Sequence, residues 1–430
     1  MQWAASRDHR HATECERQQI PRNPRFRPQN SHEFLRKAVM SDHEFDVSII
    51  LNYYTPYVSG LTIHTQRIAE GLAARGHRVA VVTTQHDETL PLRENLAGVS
   101  VFRTPVSRTI GRGPVSPQFI SVARDVARRS AIVNPHAPML EVGPIALGTR
   151  NRALVTTHHM DLWLPSGAVN NVARRAVDVS TSTALRVSDA IVVNSKDQAR
   201  GSKLWPLIKR RNWRGIAPPC LDRRGGEPDY RDGAGLHIGF LGRIVEDKGI
   251  EYLIRAFQRL DDPEARLLIG GDWIKVAGGG IEDRLRPLIG EDKRIRMLGM
   301  LGGRQIDNFY ASIDVFALPS VAESFGTVQA EAMMVDVPSV TTNLPGGRSP
   351  VLETGFGRRV PPRDPDALAR AITELAALTP QERAEGGRRA RELYSVDTSL
   401  DAYEELFAQI SPMRDHARVL GTRCRNTLMR

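Results

Sequence analysis

The sequence predicts an α/β protein of two Rossmann-like, doubly wound domains facing each other across a cleft. Three observations lead there. The chain has 430 residues, roughly twice what one hydrophobic core usually serves. Short apolar runs alternate with helical patterns through both halves, as in parallel sheets flanked by helices. Between the halves lies IAPPCLDRRGGEPDYRDGAG, Ile216 to Gly235, dense in Pro, Gly and charge as a linker should be.

Residues 1–40 are rich in Arg, His, Gln, Asn and Pro and show no periodicity, so a disordered basic tail is expected there. The first strand, FDVSIIL from Phe45, begins just after Met40, and the working start of the chain is expected at Met40. A loop through Gly60, a helix ending at Gly76 and the strand HRVAVVTT follow. Further strands are expected at 130–133, 153–157 and 190–194, which together define an N-terminal, acceptor-side domain over 44–215. The alternation restarts after the linker with HIGFLG, ARLLIGG, RIRMLG, DVFALPS and PSVTTN as strands, giving a C-terminal domain over 216–392. The helix LDAYEELFAQI, within 393–411, is expected to pack back on the N-terminal domain, ahead of a basic tail at 412–430.

The net charge of +10 points first to nucleic acid, but its location argues otherwise. Each tail contributes +4, leaving +2 for residues 41–411. The tails hold only Trp3, Phe26 and Phe34 as aromatics and carry no nucleic-acid motif, so no nucleic-acid partner is expected. Cys15, Cys220 and Cys424 lie far apart in no pairing pattern, which suits a reducing compartment and gives no cysteine metal site. With no apolar stretch near the ~18 residues of a membrane span, a cytoplasmic location is expected.

Two constellations carry chemistry. In GFLGRIVEDKG, Gly239 to Gly249, a strand ends at Gly242 with Arg243 at its tip and Lys248 five residues on. A guanidinium and an ammonium converging at a strand end suit a diphosphate. The plainer alternative is a solvated loop in which Asp247 pairs Lys248. In PSVAESFGTVQAEAMMVDVP, Pro319 to Pro338, Glu323 and Glu331 flank a tight loop at a helix start. Free N–H groups at Phe325 and Gly326 would point at an anion there, and Gly326 permits close backbone approach. The plainer alternative makes Glu331 a dipole-complementing charge and Glu323 a loop charge.

In order and spacing these stretches, GRIVEDKG, ALPSVAESFG and LPGGRSPV, resemble the retaining glycosyltransferases of the GT-B fold, in particular the GT4-like group 1 family. The resemblance implies that Arg243 and Lys248 bind the donor diphosphate. Glu331 would hold ribose hydroxyls and Glu323 would contact the transferred sugar, with Phe325 and Gly326 supplying backbone donors. YYTPYVSGLTIHTQ resembles the family's first loop, where Gly60 would pack against the diphosphate. VTTHHMDL resembles its strand ending in His-x-Asp, placing catalytic roles at His159 and Asp161, with His158 the adjacent alternative.

The implied activity is a metal-independent hexosyl transfer with retention from a UDP- or GDP-linked sugar, a co-substrate, with no cofactor. The acceptor would be lipid-linked, a polysaccharide or a small molecule. A non-catalytic nucleotide-sugar-binding protein on a degenerate scaffold is the alternative. The tails, or Arg174 and Arg175, are candidates for peripheral contact with anionic lipid at the inner face of a membrane. Two departures stand out. Asp336 occupies a position that usually wants glycine's left-handed freedom, and Arg348 follows the Gly-Gly pair where Pro-Glu is common, which is expected to alter the sugar or acceptor tolerated.

Overall fold

The computed structural model describes residues 43–110, 113–164, 167–272 and 280–410. The expectations for Met40 and for both tails fall outside them.

The first half forms an eight-stranded sheet. Its strands are β1 (Phe45–Ile50), β2 (Val79–Gln85), β3 (Arg93–Leu96), β4 (Val99–Pro105), β7 (Ser130–Ala137), β8 (Ala153–His158), β9 (Ala190–Val193) and β10 (Trp213–Gly215). Their order across the sheet is β10-β9-β8-β7-β1-β2-β4-β3. Every pairing is parallel except β3 with β4. The β3–β4 hairpin and the small ribbon β5 (Arg108–Ile110) with β6 (Gly113–Val115) were not expected from sequence. The two-residue Ala97-Gly98 turn, both residues at positive φ, was the local signal for the hairpin.

Helices α1 (Gly60–Ala74), α2 (Phe119–Arg128), α3 (Val142–Thr149), α4 (Ala168–Val187), α5 (Lys196–Gly201) and α6 (Trp205–Ile208) follow the strands. Helix α1 starts where Ser59 and Thr62 cap each other's backbone N–H groups, a capping box written in the sequence as SGLT.

The second half is a six-stranded parallel sheet of order β13-β12-β11-β14-β15-β16. Its strands are β11 (His237–Leu241), β12 (Arg266–Gly270), β13 (Ile295–Gly299), β14 (Val315–Leu318), β15 (Ser339–Thr342) and β16 (Gly357–Val360). The helices are α7 (Ile250–Phe257), α8 (Glu282–Ile289), α9 (Arg304–Ala311), α10 (Thr327–Met334), α11 (Ser349–Thr354), α12 (Pro365–Ala376) and α13 (Pro380–Tyr394). Central strands such as FDVSII and VFAL are buried along their whole length, as strands covered on both faces must be.

Residues 396–410 form a last helix, α14, that leaves the second half and packs on the first. Leu400, Tyr403, Leu406, Phe407 and Ile410 join Val47, Ile49, Val79 and Val81 in one core. Each such side chain contributes about 1.5–3 kcal/mol on burial. Arg75 reaches Asp401 at 2.6 Å and Glu404 at 2.8 Å, and His77 Nε2 lies 2.8 Å from Glu404. The Gly-His step before β2 is therefore an anchor for α14.

Asp336 has φ 67°, the left-handed conformation expected for it. Its carboxylate accepts from Arg391 at 2.9 Å, and Gly387 makes room, since an added Cβ there would lie 1.8 Å from Asp336 Oδ1.

Candidate functional site

The carboxyl ends of both sheets carry the loops that meet. After β11 the chain runs through Gly242 and Arg243 into a single 3₁₀ turn, Glu246–Lys248. Gly249 closes that turn at φ 64°, and an added Cβ would sit 2.3 Å from Pro319 O. Only glycine lets this turn lie against the loop after β14. Val321 N–H then donates to Asp247 O at 2.8 Å, fixing the two loops together.

The result brings Lys248 Nζ to 2.7 Å from Glu323 Oε2, while Asp247 is 3.9 Å away. The basic and the acidic constellations thus share one site, and Lys248 pairs with Glu323 in preference to its neighbour. Burial alone would push Glu323 up, but the Lys248 ammonium and the backbone N–H groups of Ser324 and Phe325 outweigh it and hold the carboxyl below its usual range. Arg243 differs: half-buried at the strand tip, it makes no hydrogen bond or ion pair with any described residue.

Gly326 begins α10 at φ 83°. Phe325 is buried, its ring edge-on to Tyr394 at 5.4 Å, so the side chain anchors the loop and only its backbone faces the Glu323 carboxylate. Gly346 and Gly347 wall the site from the other side. Cβ atoms there would fall 2.5 Å from Ser324 O and 2.8 Å from Glu323 Cβ.

Glu331 is placed differently. It is buried, and its oxygens are taken by Arg67 at 2.7 Å, Leu221 N at 3.2 Å and Arg223 Nε at 3.4 Å. Arg67 stands on α1 and also donates to Pro219 O at 2.7 Å. Glu331 therefore closes an ion cluster joining α1, the connector after β10 and α10, with Arg67 and Leu221 N on Oε1 and Arg223 on Oε2. The expected linker is part of this cluster, since Arg223 also bonds Asp307 at 3.0 Å.

In the first half, Gly60 opens α1, exposed, with nothing within 4 Å of an added Cβ. His159 is buried in a histidine trio. Its Nε2 lies 2.9 Å from His136 Nδ1, and its ring centroid lies 4.9 Å from that of His64. Burial first, then the neighbouring imidazoles, holds His159 and His136 well below the usual histidine range, while burial and the Arg67 charge hold His64 at about 3. All three are neutral at pH 7. His136 Nε2 lies 3.1 Å from Asn134 Oδ1, whose amide nitrogen already donates to Val155 O. The network assigns the proton to His136 Nε2, so His159 Nε2–H donates to His136 Nδ1. His159 Nδ1 is left an acceptor without a partner among the described residues.

The motif's other members are held by protein partners. Asp161 accepts from Ser202 Oγ at 2.7 Å and Lys203 N at 2.8 Å, with His158 Nε2 at 3.4 Å. Burial opposes ionisation, yet these donors hold Asp161 down at about 2. It braces the junction of α5 and α6. Arg348 is likewise engaged, with Nε and NH2 at 3.0 and 2.8 Å from Asp197. It forms an ion pair between the two halves. Neither Arg67 nor Asp197 was singled out from sequence, because nothing local marks them. Among the described residues no group of three or more His, Cys, Asp or Glu side chains is arranged to hold a metal ion.

Comparison with known proteins agrees with this layout. Residues 59–207 match the family model "Glycosyl transferase 4-like domain", and residues 235–377 match "Glycosyl transferases group 1". A D-inositol 3-phosphate glycosyltransferase of Saccharomonospora viridis is 28% identical over 420 residues, covering 87% of this chain and 94% of the relative. Sucrose-phosphate synthase of Thermosynechococcus elongatus superposes with a TM-score of 0.70 at 19% identity, covering 85% of this chain and 99% of that one. Anabaena HepE in complex with UDP and glucose gives 0.62 at 18% identity, covering 85% of this chain and 100% of that one.

Proposed function

Because the chain belongs to the GT4-like group 1 glycosyltransferases of the GT-B fold, we propose that it moves a hexose-type sugar from a nucleotide sugar with retention of configuration, using Arg243, Lys248 and Glu323 at the donor. The observation that carries this reading is the unpaired Arg243 guanidinium beside the Lys248–Glu323 pair. A half-buried cation without a counter-charge is a poor element of stability and a good receptor for phosphate.

As the glycosidic bond breaks, charge grows on the leaving diphosphate, and Arg243 and Lys248 would stabilise it without a divalent metal. Glu323, ionised at pH 7, would orient Lys248 and accept from sugar hydroxyls. Gly60 would let the α1 start approach the phosphates, and His159 Nδ1 would accept a hydrogen bond from the sugar. Glu331 would act on the donor through the shape of its ion cluster.

UDP, present in the HepE complexes, is the first nucleotide to test, with GDP the second. Among acceptors, a phosphorylated polyol is suggested by the inositol phosphate named for the Saccharomonospora relative. A lipid-linked acceptor is supported by α4, which exposes Val169, Val172, Ala173, Ala176 and Val179 along one stripe, with Arg175 exposed on the same helix. Such contact would be peripheral, at the inner membrane face if the protein is cytoplasmic as expected; among the described residues no helix is long and apolar enough to cross a membrane.

Screening UDP- and GDP-sugars by thermal shift, followed by NMR of the product anomer with and without chelator, tests the reading. Transfer with retention that survives chelation is expected. Inversion, or loss of activity to chelator with rescue by Mn²⁺, would reject this site model. A non-catalytic binding protein would instead show donor binding without turnover, unaltered by Glu323→Ala.

A further inference from the structure

The loop that walls Glu323 is fastened from the opposite half of the molecule. Asp197 lies on α5, just beyond β9 of the first sheet. Its carboxylate accepts Arg348 Nε at 3.0 Å, Arg348 NH2 at 2.8 Å and the Gly346 N–H at 2.9 Å. Beside this pair Ser195 Oγ meets Ser349 Oγ at 2.7 Å. Gly201 sits so close to Pro345 that an added Cβ would lie 2.2 Å from Pro345 Cβ. The two surfaces are therefore in full contact at this point.

Gly346 and Gly347 in turn press on Ser324 O and Glu323 Cβ, with no room for a side chain between them. Glu323 receives the Ser324 N–H at 3.0 Å and Lys248 Nζ at 2.7 Å. Direct contacts run without a gap from Asp197 through Gly346 to Ser324 and Glu323, and from there to Lys248. Arg348 replaces the Pro-Glu common after a Gly-Gly pair, and its guanidinium supplies two of the three hydrogen bonds that Asp197 accepts from the loop.

We propose that Asp197 is a positioning residue for the donor site, setting Glu323 and Lys248 from the first sheet through the Gly346–Arg348 loop. The donor site is then assembled only when the two halves are docked. This rests on the reading of Lys248 and Glu323 as donor-binding groups. A part-exposed ion pair between the two halves is weak as a source of stability. Its effect here is geometric: without Asp197, the Gly346 N–H loses its partner and the turn at φ 85° loses its tether.

The test is hydrogen exchange on the full chain, which needs no ligand. In Asp197→Ala, peptides covering 320–326 and 343–349 should exchange at least about fivefold faster, while peptides from β7 and β11 keep their protection. Asp197→Asn should lie between, since its amide oxygen can still accept from Gly346. Arg348→Ala should reproduce the effect from the other side and decides the matter if Asp197→Ala weakens the whole fold. Loosening of 343–349 alone, or of neither segment, would overturn the proposal. With a donor in hand, Asp197→Ala should lower kcat about tenfold with little change in donor KM; a change in KM alone would count against it. Failure of the donor-site reading would register elsewhere, as full turnover by Lys248→Met and Glu323→Gln.

Discussion

Replacing Lys248 by Met should destabilise the second half in a pH-dependent way. The side chains of Lys248 and Glu323 are 16% and 13% exposed and 2.7 Å apart. At an effective dielectric of about 20 their gross attraction is roughly 6 kcal/mol, and removing one partner of a well-buried pair costs about 3–5 kcal/mol. Glu323 keeps the Ser324 N–H and residual contact with water, so about 2–3 kcal/mol is expected at pH 7.5. In a domain of this size that is a Tm fall of roughly 5–10 °C.

The sign with pH follows from the carboxyl. With Lys248 present, Glu323 is held below its usual range, so its contribution is in place above the unfolded-state pKa near ~4.3 and is lost as pH falls through the folded value. Without the ammonium, burial dominates and raises Glu323. The penalty is then full at pH 7 to 8 and relieved by protonation as pH falls toward about 4. Differential scanning calorimetry of both proteins from pH 8 to 4.5 should show the gap narrowing. Adding Glu323→Gln should recover most of the loss. A gap independent of pH, or a double variant as unstable as the sum of the two singles, would refute the reasoning.

Three further outcomes follow from the same contacts. Arg67→Ala leaves Glu331 buried with Arg223 and one N–H, so about 2–3 kcal/mol should be lost at pH 7 and largely regained by adding Glu331→Gln; urea denaturation reads both. Asp336→Ala loses the Arg391 contact yet keeps the left-handed backbone, costing about 1–2 kcal/mol, whereas Asp336→Gly should stay within about 1 kcal/mol of wild type, because relief of strain offsets the lost ion pair. Gly60→Ala meets no neighbour, so stability should hold or rise by up to about 1 kcal/mol; donor KM should rise, and an unchanged KM would mean that no ligand approaches there.

The two-sheet architecture was legible because strand and helix periods are local, and so was the placement of Arg243, Lys248 and Glu323 at strand ends; spacing alone left their chemistry open, and the donor roles came from the resemblance in motif order. The left-handed Asp336 was legible from the resemblance, which has glycine at that position. The partners of the remaining charges were not. Glu331, Asp161 and Arg348 carry the right residue types at the right spacing, yet Arg67, Ser202 and Asp197, lying 264, 41 and 151 positions away in the chain, claim them. Likewise, the choice between His158 and His159 depended on which ring turned toward His136 and which toward Asp161. Local spacing places a side chain on a loop; only the packing opposite decides whether its charge is spent on the protein or left for a ligand.

Arg243 is the residue where that distinction is sharpest. With no partner among the described residues, Arg243→Met should leave Tm within about 1–2 °C of wild type. If it binds the donor diphosphate, the same change should lower kcat/KM for the identified nucleotide sugar by about 10²–10³. A stable variant with that loss is the predicted result. Unchanged kcat/KM in a folded Arg243→Met protein would contradict the assignment of the donor site.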